Sequence, residues 1–273
     1  MLKEYFQNLA ERDYTANWKP NEGVKVGEWT NIATGFIPWF NRIVDNTALA
    51  IEINKGLHSV MKGSLKKIYT ETRELAPMCM YHQVSVDVGI SGGPAKIKAQ
   101  KAGGYFAIFQ DLYEISAKPA SFQKKIQELD EAYVAIISSV THVRKGLLVI
   151  FDEDTASFTL PIGFDYSLEQ MHHEPGAINL DFDFNISSSN AGVMVYQAKP
   201  DKMLTPFVKI EQTVPTGGLT SRVSRQRKAS VPTMSYVMGP QDFADSAPRS
   251  VQPTEKYVLK PFSYTDFFET MEL

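Results

Sequence analysis

Residues 132–143 read AYVAIISSVTHV and residues 146–151 read GLLVIF, with only Arg144 and Lys145 between them. Both runs are apolar and rich in Val and Ile, which is the composition of strands. The pattern continues downstream through SFTLPI (157–162), INLDFDFNI (178–186), GVMVY (192–196) and FVKIEQTV (207–214), so residues 132–214 read as strand after strand. INLDFDFNI alternates strictly. Ile178, Leu180, Phe182, Phe184 and Ile186 fall on one side, and Asn179, Asp181, Asp183 and Asn185 on the other. Such a strand has one dry face and one wet, partly ionised face.

Upstream, residues 81–101 read YHQVSVDVGISGGPAKIKAQK. Val84, Val86, Val88 and Ile90 alternate with Ser85, Asp87 and Gly89; Ser91-Gly92-Gly93-Pro94 breaks the run; Ala95, Ile97 and Ala99 then alternate with lysines and a glutamine. Two period-2 runs about a Gly-Gly turn predict a β-hairpin, and Gly103-Gly104 marks a strand bend. Three helices are predicted. Residues 2–13 carry Leu2, Phe6 and Leu9 at helical spacing. Residues 55–75 place Leu57, Met61, Leu65 and Ile68 on one stripe, with His58, Lys62 and Lys66 on an adjacent face and Pro77 as the stop. PASFQKKIQELDE (119–131) is capped by Ser121 and turns Phe122, Ile126 and Leu129 inward. Residues 24–44 are extended and unusually apolar.

At Pro215 the composition changes. Residues 215–273 are rich in Ser, Thr, Pro and Gly, lack sustained periodicity and end in PFSYTDFFETMEL. They read as a Ser/Pro-rich linker and irregular tail whose aromatic end docks back on the body, where it covers a face or an edge of the sheet. The body is therefore residues 1–214. With strands dominant and helices interspersed, the fold class is α+β.

Composition narrows the function. The 273 residues are 43% hydrophobic and 22% charged, with a formal net charge of −3. That charge gives no reason to expect nucleic acid. Cys79 is the only cysteine, so the chain has neither an intrachain disulfide nor a cysteine-based zinc site. The charged start MLKEYFQNLAERDY does not fit a signal peptide, and charge-free apolar stretches such as 29–41 and 132–143 fall short of a membrane-spanning helix. A cytoplasmic location is expected.

Catalysis finds little support. His172-His173-Glu174 sets two adjacent imidazoles on different faces, whereas metal sites favour i, i+4 on a helix. No phosphate loop and no nucleophile elbow appear. Cys79, among methionines and three residues before His82, reads as a buried structural thiol. RKAS (227–230) is a short basophilic match of the kind that tails carry incidentally. No catalytic residue, cofactor or metal is assigned, and a hydrolase using His172 and His173 ranks last.

GFIPWFNRI (35–43) admits two readings: a buried aromatic anchor, or an insertion tip in which Trp39 and Phe40 enter a lipid interface while Arg42 meets a headgroup phosphate. The hairpin-like regions 81–101 and roughly 145–197 suit half-buried sheets, and equally a barrel strand with lipid on one side.

These residues carry a resemblance. AYVAIISSVTHVRKGLLVIFDEDTASFTLPIGF resembles the second half of the gasdermin pore-forming domain, with Thr155-Ala156-Ser157-Phe158-Thr159-Leu160-Pro161 in place of its Ser-x-x-Phe-Ser-Leu-Pro-Gly-like turn. GVMVYQAKPDKMLTPFVKI is similar to the family's closing strands, and PWFNRI looks like its aromatic-basic tip. The likeness covers roughly 1–214. The short tail looks most like the fungal gasdermin-like cell-death proteins (the agents of heterokaryon incompatibility) and their bacterial relatives. It departs from the bacterial members in having no cysteine near its amino terminus.

The resemblance implies a bent, mainly antiparallel sheet flanked by helices. It implies a molecule held inactive in the cytoplasm by its tail and released onto the acidic phospholipids of the plasma membrane or another anionic membrane. Copies then oligomerise into a transmembrane β-barrel and cause lytic cell death. The pore hairpins would include Val84, Val86, Val88, Ile90, Ile97, Leu180, Asp181, Phe182, Asp183 and Phe184. Lys3, Arg12, Trp39, Phe40 and Arg42 would meet lipid. Lys62, Lys66 and Lys67 either join them or are solvated surface. The activating protease is subtilisin-like in the fungal relatives, which selects Phe243 in GPQDFADSAP as the cleavage site, with Arg225–Lys228 the competitor. A second class remains open: a β-rich interaction module without a pore, whose tail docks a partner.

Overall fold

The computed structural model describes residues 3–17, 19–31, 61–87, 94–101, 103–130, 134–151, 157–163, 173, 193–199, 201–216 and 256–262. Its centre is the stretch quoted first. Val134–Phe151 forms one continuous strand, β9, of 18 residues. All but three of them are buried. A strand covered on both faces reads as an unbroken apolar run, which is why no alternation shows in its sequence.

The other strands are, in chain order, β1 (Thr15–Ala16), β2 (Glu28–Asn31), β3 (Gly63–Ser64), β4 (Thr70–Leu75), β5 (Met78–His82), β6 (Val84–Asp87), β7 (Pro94–Ala99), β8 (Tyr105–Ala117), β10 (Ser157–Gly163), β11 (Val193–Ala198), β12 (Leu204–Pro215) and β13 (Tyr257–Pro261). Along one side of β9 run β2 and then β8; along the other run β12 and then β11. Beyond β8 lie β4 and β5, and beyond β12 lie β1 and β13. Every pairing in this ten-stranded sheet is antiparallel. The sheet-dominated α+β architecture thus agrees with the sequence reading.

A three-stranded sheet, β10-β7-β6, repeats the neighbour order of β9-β8-β5 because each of its strands adjoins its counterpart in the chain: β10 follows β9, β7 precedes β8 and β6 follows β5. The two junctions differ. From the Tyr105–Ile150 pair to the Lys98–Ser157 pair is seven residues on each strand, so the β8/β9 ladder resumes as β7/β10 in unchanged register. Hydrogen bonds from Gly103 N to Phe151 O (3.1 Å) and from Phe151 N to Gly104 O (2.7 Å) continue the ladder as far as Phe151. On the β5/β8 side one residue, Gln83, faces five, residues 100–104, between the His82–Tyr105 and Val84–Ala99 pairs. Gln83 takes a left-handed φ of 53°. A Cβ on Gly104 would lie 2.9 Å from the Gln83 carbonyl oxygen, so the close crossing requires glycine. The strand bend expected at Gly103-Gly104 is there.

Among the described residues, two helices pack on the large sheet. Helix α1 (Lys3–Ala10) places Tyr5 and Leu9 in the main apolar cluster with Tyr105 and Phe109 of β8, Leu148 of β9 and Phe207 of β12. Helix α2 (Pro119–Ile126) buries Phe122 and Ile126, as predicted, and Leu129 beyond its end is buried too. Its start differs from expectation. Lys118 is the N-cap and makes no side-chain cap bond, while Pro119 occupies the first turn, where its missing N–H leaves nothing unsatisfied. Ser121 Oγ instead accepts a bond from Tyr69 N at 3.2 Å.

The helix expected over 55–75 is overturned where it can be seen. Lys67 has a φ of +60°, which no α-helix allows, and Thr70–Leu75 is a strand. Tertiary pairing decided this. The long edge of β8 offers a six-residue ladder to β4, and Thr70 and Thr72 favour extended backbone. Met61 packs against the main cluster while Leu65 and Ile68 join a second one, so the apolar stripe is spent on two cores. Gly63 lies under the indole of Trp29, where a Cβ would come within 2.5 Å of the ring.

Candidate functional site

The best-developed site is the seat of the tail strand. β13 pairs with the outer edge of β12 over five residues, from Glu211–Pro261 to Pro215–Tyr257. The tail therefore covers a sheet edge, one of the two possibilities raised by its composition. Its first residue carries the anchor. Tyr257 is 4% exposed, among Ala117, Phe122, Ile126, Leu129, Val134 and Ile136.

The backbone of Tyr257 is held by side chains from α2 and its C-cap. Gln127 Oε1 accepts from Tyr257 N (3.0 Å) and Lys256 N (2.7 Å), while Gln127 Nε2 donates to Tyr257 O at 2.8 Å. Gln123 Nε2 donates to the same carbonyl at 3.1 Å. One carboxamide thus acts as both donor and acceptor, as a neighbouring strand would. Tyr257 and Pro215 face each other at a non-hydrogen-bonded position of the ladder, so the N–H and C=O of Tyr257 point away from β12 and towards the glutamines. Lys256 Nζ donates to Leu129 O (2.8 Å), and Lys256 O accepts from Thr216 N (3.3 Å). At the other end Phe262 N donates to Ile210 O (3.0 Å), and the Phe262 ring is buried in the main cluster. Two aromatic residues five apart thus bridge the two cores.

Two adjoining cavities of about 450 and 790 Å³ flank the tail and share Ser138, Lys209 and Glu211. Leu259 lines the smaller, towards α2, and Pro261 and Phe262 line the larger, towards α1. Burial raises the Glu211 carboxyl above the ordinary carboxylate range, and a bond with Ser138 only partly offsets this. Beside it lies Glu114 of β8, whose side chain is 2% exposed. It accepts from Arg73 Nη2 of β4 (2.7 Å) and from Ser139 Oγ of β9, with Lys209 Nζ of β12 at 3.3 Å. Burial acts to raise this carboxyl too, but Ser139, Lys209 and Arg73 together hold it below its usual value. One carboxylate thereby ties four strands together.

The residues singled out from sequence are scattered relative to this seat. Lys3 starts α1, and Arg12 is exposed just past its end. Lys62, Lys66 and Lys67 are exposed, but on an irregular segment around β3 and not on one helix face. Val84 and Ile97 are buried in β6 and β7, and Val86 lies opposite Ile97. Val88, Ile90, Trp39, Phe40, Arg42, Leu180, Asp181, Phe182, Asp183, Phe184, His172 and Phe243 lie outside the described residues. His173 is exposed. Cys79 is buried, and burial pushes its thiol up to about 12. That disfavours the thiolate a nucleophile needs.

Gln123, Gln127, Tyr257, Glu114, Ser139 and Lys209 escaped the sequence reading. The glutamines had a signal, since an i, i+4 amide pair flanks the Phe122/Ile126 stripe. Among the described residues, no group of three His, Cys, Asp or Glu side chains is arranged to hold a metal, and no helix is long and apolar enough to cross a membrane. No protein-family model, no curated protein and no solved structure matches the chain. Fold and seat together define a sheet-dominated α+β protein with a docked C-terminal strand.

Proposed function

We propose that this chain is an autoinhibited pore-forming protein of the gasdermin kind. The observation that supports the reading is the unchanged register between the β8/β9 and β7/β10 ladders. Straightening that junction would join 94–117 and 134–163 into strands of more than 20 residues with no pairing exchanged. Some 9–11 residues cross a bilayer, so each such strand is long enough to span and to remain rooted in the soluble body. The β5/β6 side would have to absorb its four extra residues, an even shift that leaves each side chain on its own face. In hydrocarbon every strand needs a neighbour on both sides, so copies must close a barrel.

In this reading the tail is the inhibitor, because it occupies the β12 edge that pairing with another copy would use. Proteolysis at Phe243, within the 217–255 connection, begins release. Lys3, Arg12, Lys62, Lys66 and Lys67, with the Trp39-Phe40-Arg42 tip, then meet acidic phospholipids. The resting protein is cytoplasmic, the active one sits in the plasma membrane or another anionic membrane, and the outcome is lytic death.

The test is dye release from vesicles containing anionic lipid, comparing the full chain with a form ending at 243. Leakage is expected from the shortened form alone, and its absence from both overturns the proposal. Trp39→Ala with Phe40→Ala should abolish vesicle binding while the fold, read by circular dichroism, stays intact. Surviving binding would assign the tip to the core.

A further inference from the structure

We propose that the seat of β13 is a β-strand acceptor site with an affinity and sequence preference of its own, and that its occupant is the tail segment 255–263 (EKYVLKPFS) presented as a free peptide. The inference rests on the docked geometry and not on the pore reading. Three kinds of contact converge within seven residues. The β12 ladder and the Gln127 and Gln123 carboxamides hold backbone atoms, which supplies affinity whatever the side chains are. The apolar cluster that buries Tyr257 and the burial of Phe262 hold side chains, which supplies specificity for aromatic groups at the first and sixth residues of the segment Tyr257–Phe262. Pro261 sits at a non-hydrogen-bonded position of the ladder, which runs on to the Phe262 N–Ile210 O bond, so its missing N–H costs the pairing with β12 nothing.

The covalent connection contributes something separable. Residues 217–255 leave and return at one point, since Thr216 N bonds Lys256 O. A tether of that length sets an effective concentration on the order of millimolar or below. Cutting it removes that advantage but none of the contacts above. Breaking the connection and emptying the seat are therefore distinct events, and a cut molecule keeps its tail until dilution or a competitor removes it.

The experiment uses the full chain carrying one engineered protease site at 243, cut after purification. Gel filtration at micromolar concentration should find the 244–273 fragment still bound, and a fluorescent peptide of 255–263 should exchange into the seat saturably, read by anisotropy. Tyr257→Ala in the peptide should weaken binding at least tenfold, and Gln127→Met in the chain, which keeps the side chain's length and loses its amide, about tenfold. Full loss of the fragment on cutting, or equal binding of the Tyr257→Ala peptide, overturns the proposal. So does a cut chain that dimerises through the vacated edge and excludes peptide. None of these readouts involves a membrane, so failure here leaves the leakage test standing, and failure there leaves this one.

Discussion

On one side of the large sheet the border is β4, and on the opposite side β12 has its outer edge covered by β13. β4 presents Thr70, Glu71, Thr72, Arg73 and Glu74, all exposed, and among the described residues it pairs with β8 alone. Charges of both signs on a short strand discourage a second strand from adding. β12 has an outer edge of Glu211, Gln212, Thr213, Val214 and Pro215 beside the apolar cluster that buries Tyr257, and it is protected by being occupied. A border protected by its own side chains cannot be uncovered without mutation. A border protected by a docked segment can be. The contrast locates the switchable surface of this molecule.

Removing residues 256–273 should produce the largest effect. It takes away two buried aromatic residues and a five-residue ladder, and thermal unfolding should drop by on the order of 10 °C, with concentration-dependent self-association visible by light scattering. Replacing Glu71 and Glu74 by Thr should do neither. If the two changes behave alike, the borders are equivalent and the contrast fails. Tyr257→Ala comes next. It should cost about 3 kcal/mol in denaturant unfolding, the scale of a truncated core aromatic. Tyr69→Ala, on the 73%-exposed ring before β4, should stay within about 0.5 kcal/mol.

Glu114→Gln tests whether the borders communicate, since Glu114 links Arg73 of β4 to Lys209 of β12. A loss of about 2 kcal/mol at neutral pH is expected from its charge-assisted bonds. Because the folded carboxyl titrates below its unfolded value, this stabilisation is present above the ordinary carboxylate range and is lost as pH falls through the folded value. The difference between wild type and variant should therefore vanish in acid. Glu211→Gln should give the smallest change, with opposite sign. Its folded carboxyl titrates above the unfolded one, so wild-type stability declines as pH rises from the ordinary carboxylate range through the folded value. The variant should be slightly more stable at neutral pH and equal to wild type in acid. Chemical denaturation across pH reads both.

Much of this was legible in local pattern. Period 2 in 84–87 and 95–99, the apolar density of 134–151 and the inward face of Phe122 and Ile126 each follow from neighbours a few residues apart. That the tail returns to the body was legible too, but the docked strand is Tyr257–Pro261, and of the aromatic end that the sequence pointed to, residues 263–273 lie outside the described residues. The fate of 61–75 was not. Leu65 and Ile68 have helical spacing, and only the open border of β8 turns Thr70–Leu75 into a strand.

The sequence by itself therefore determined that 84–87, 95–99 and 134–151 extend and that 119–126 coils, because backbone preference and side-chain period act over a few residues. Tertiary structure alone decided that β8/β9 and β7/β10 share a register, that Glu114 meets charges from two other strands, and that Gln127 turns its amide onto Tyr257. Those groups are up to 130 residues apart. Their meeting depends on how the sheet bends and twists, which no short window of sequence contains.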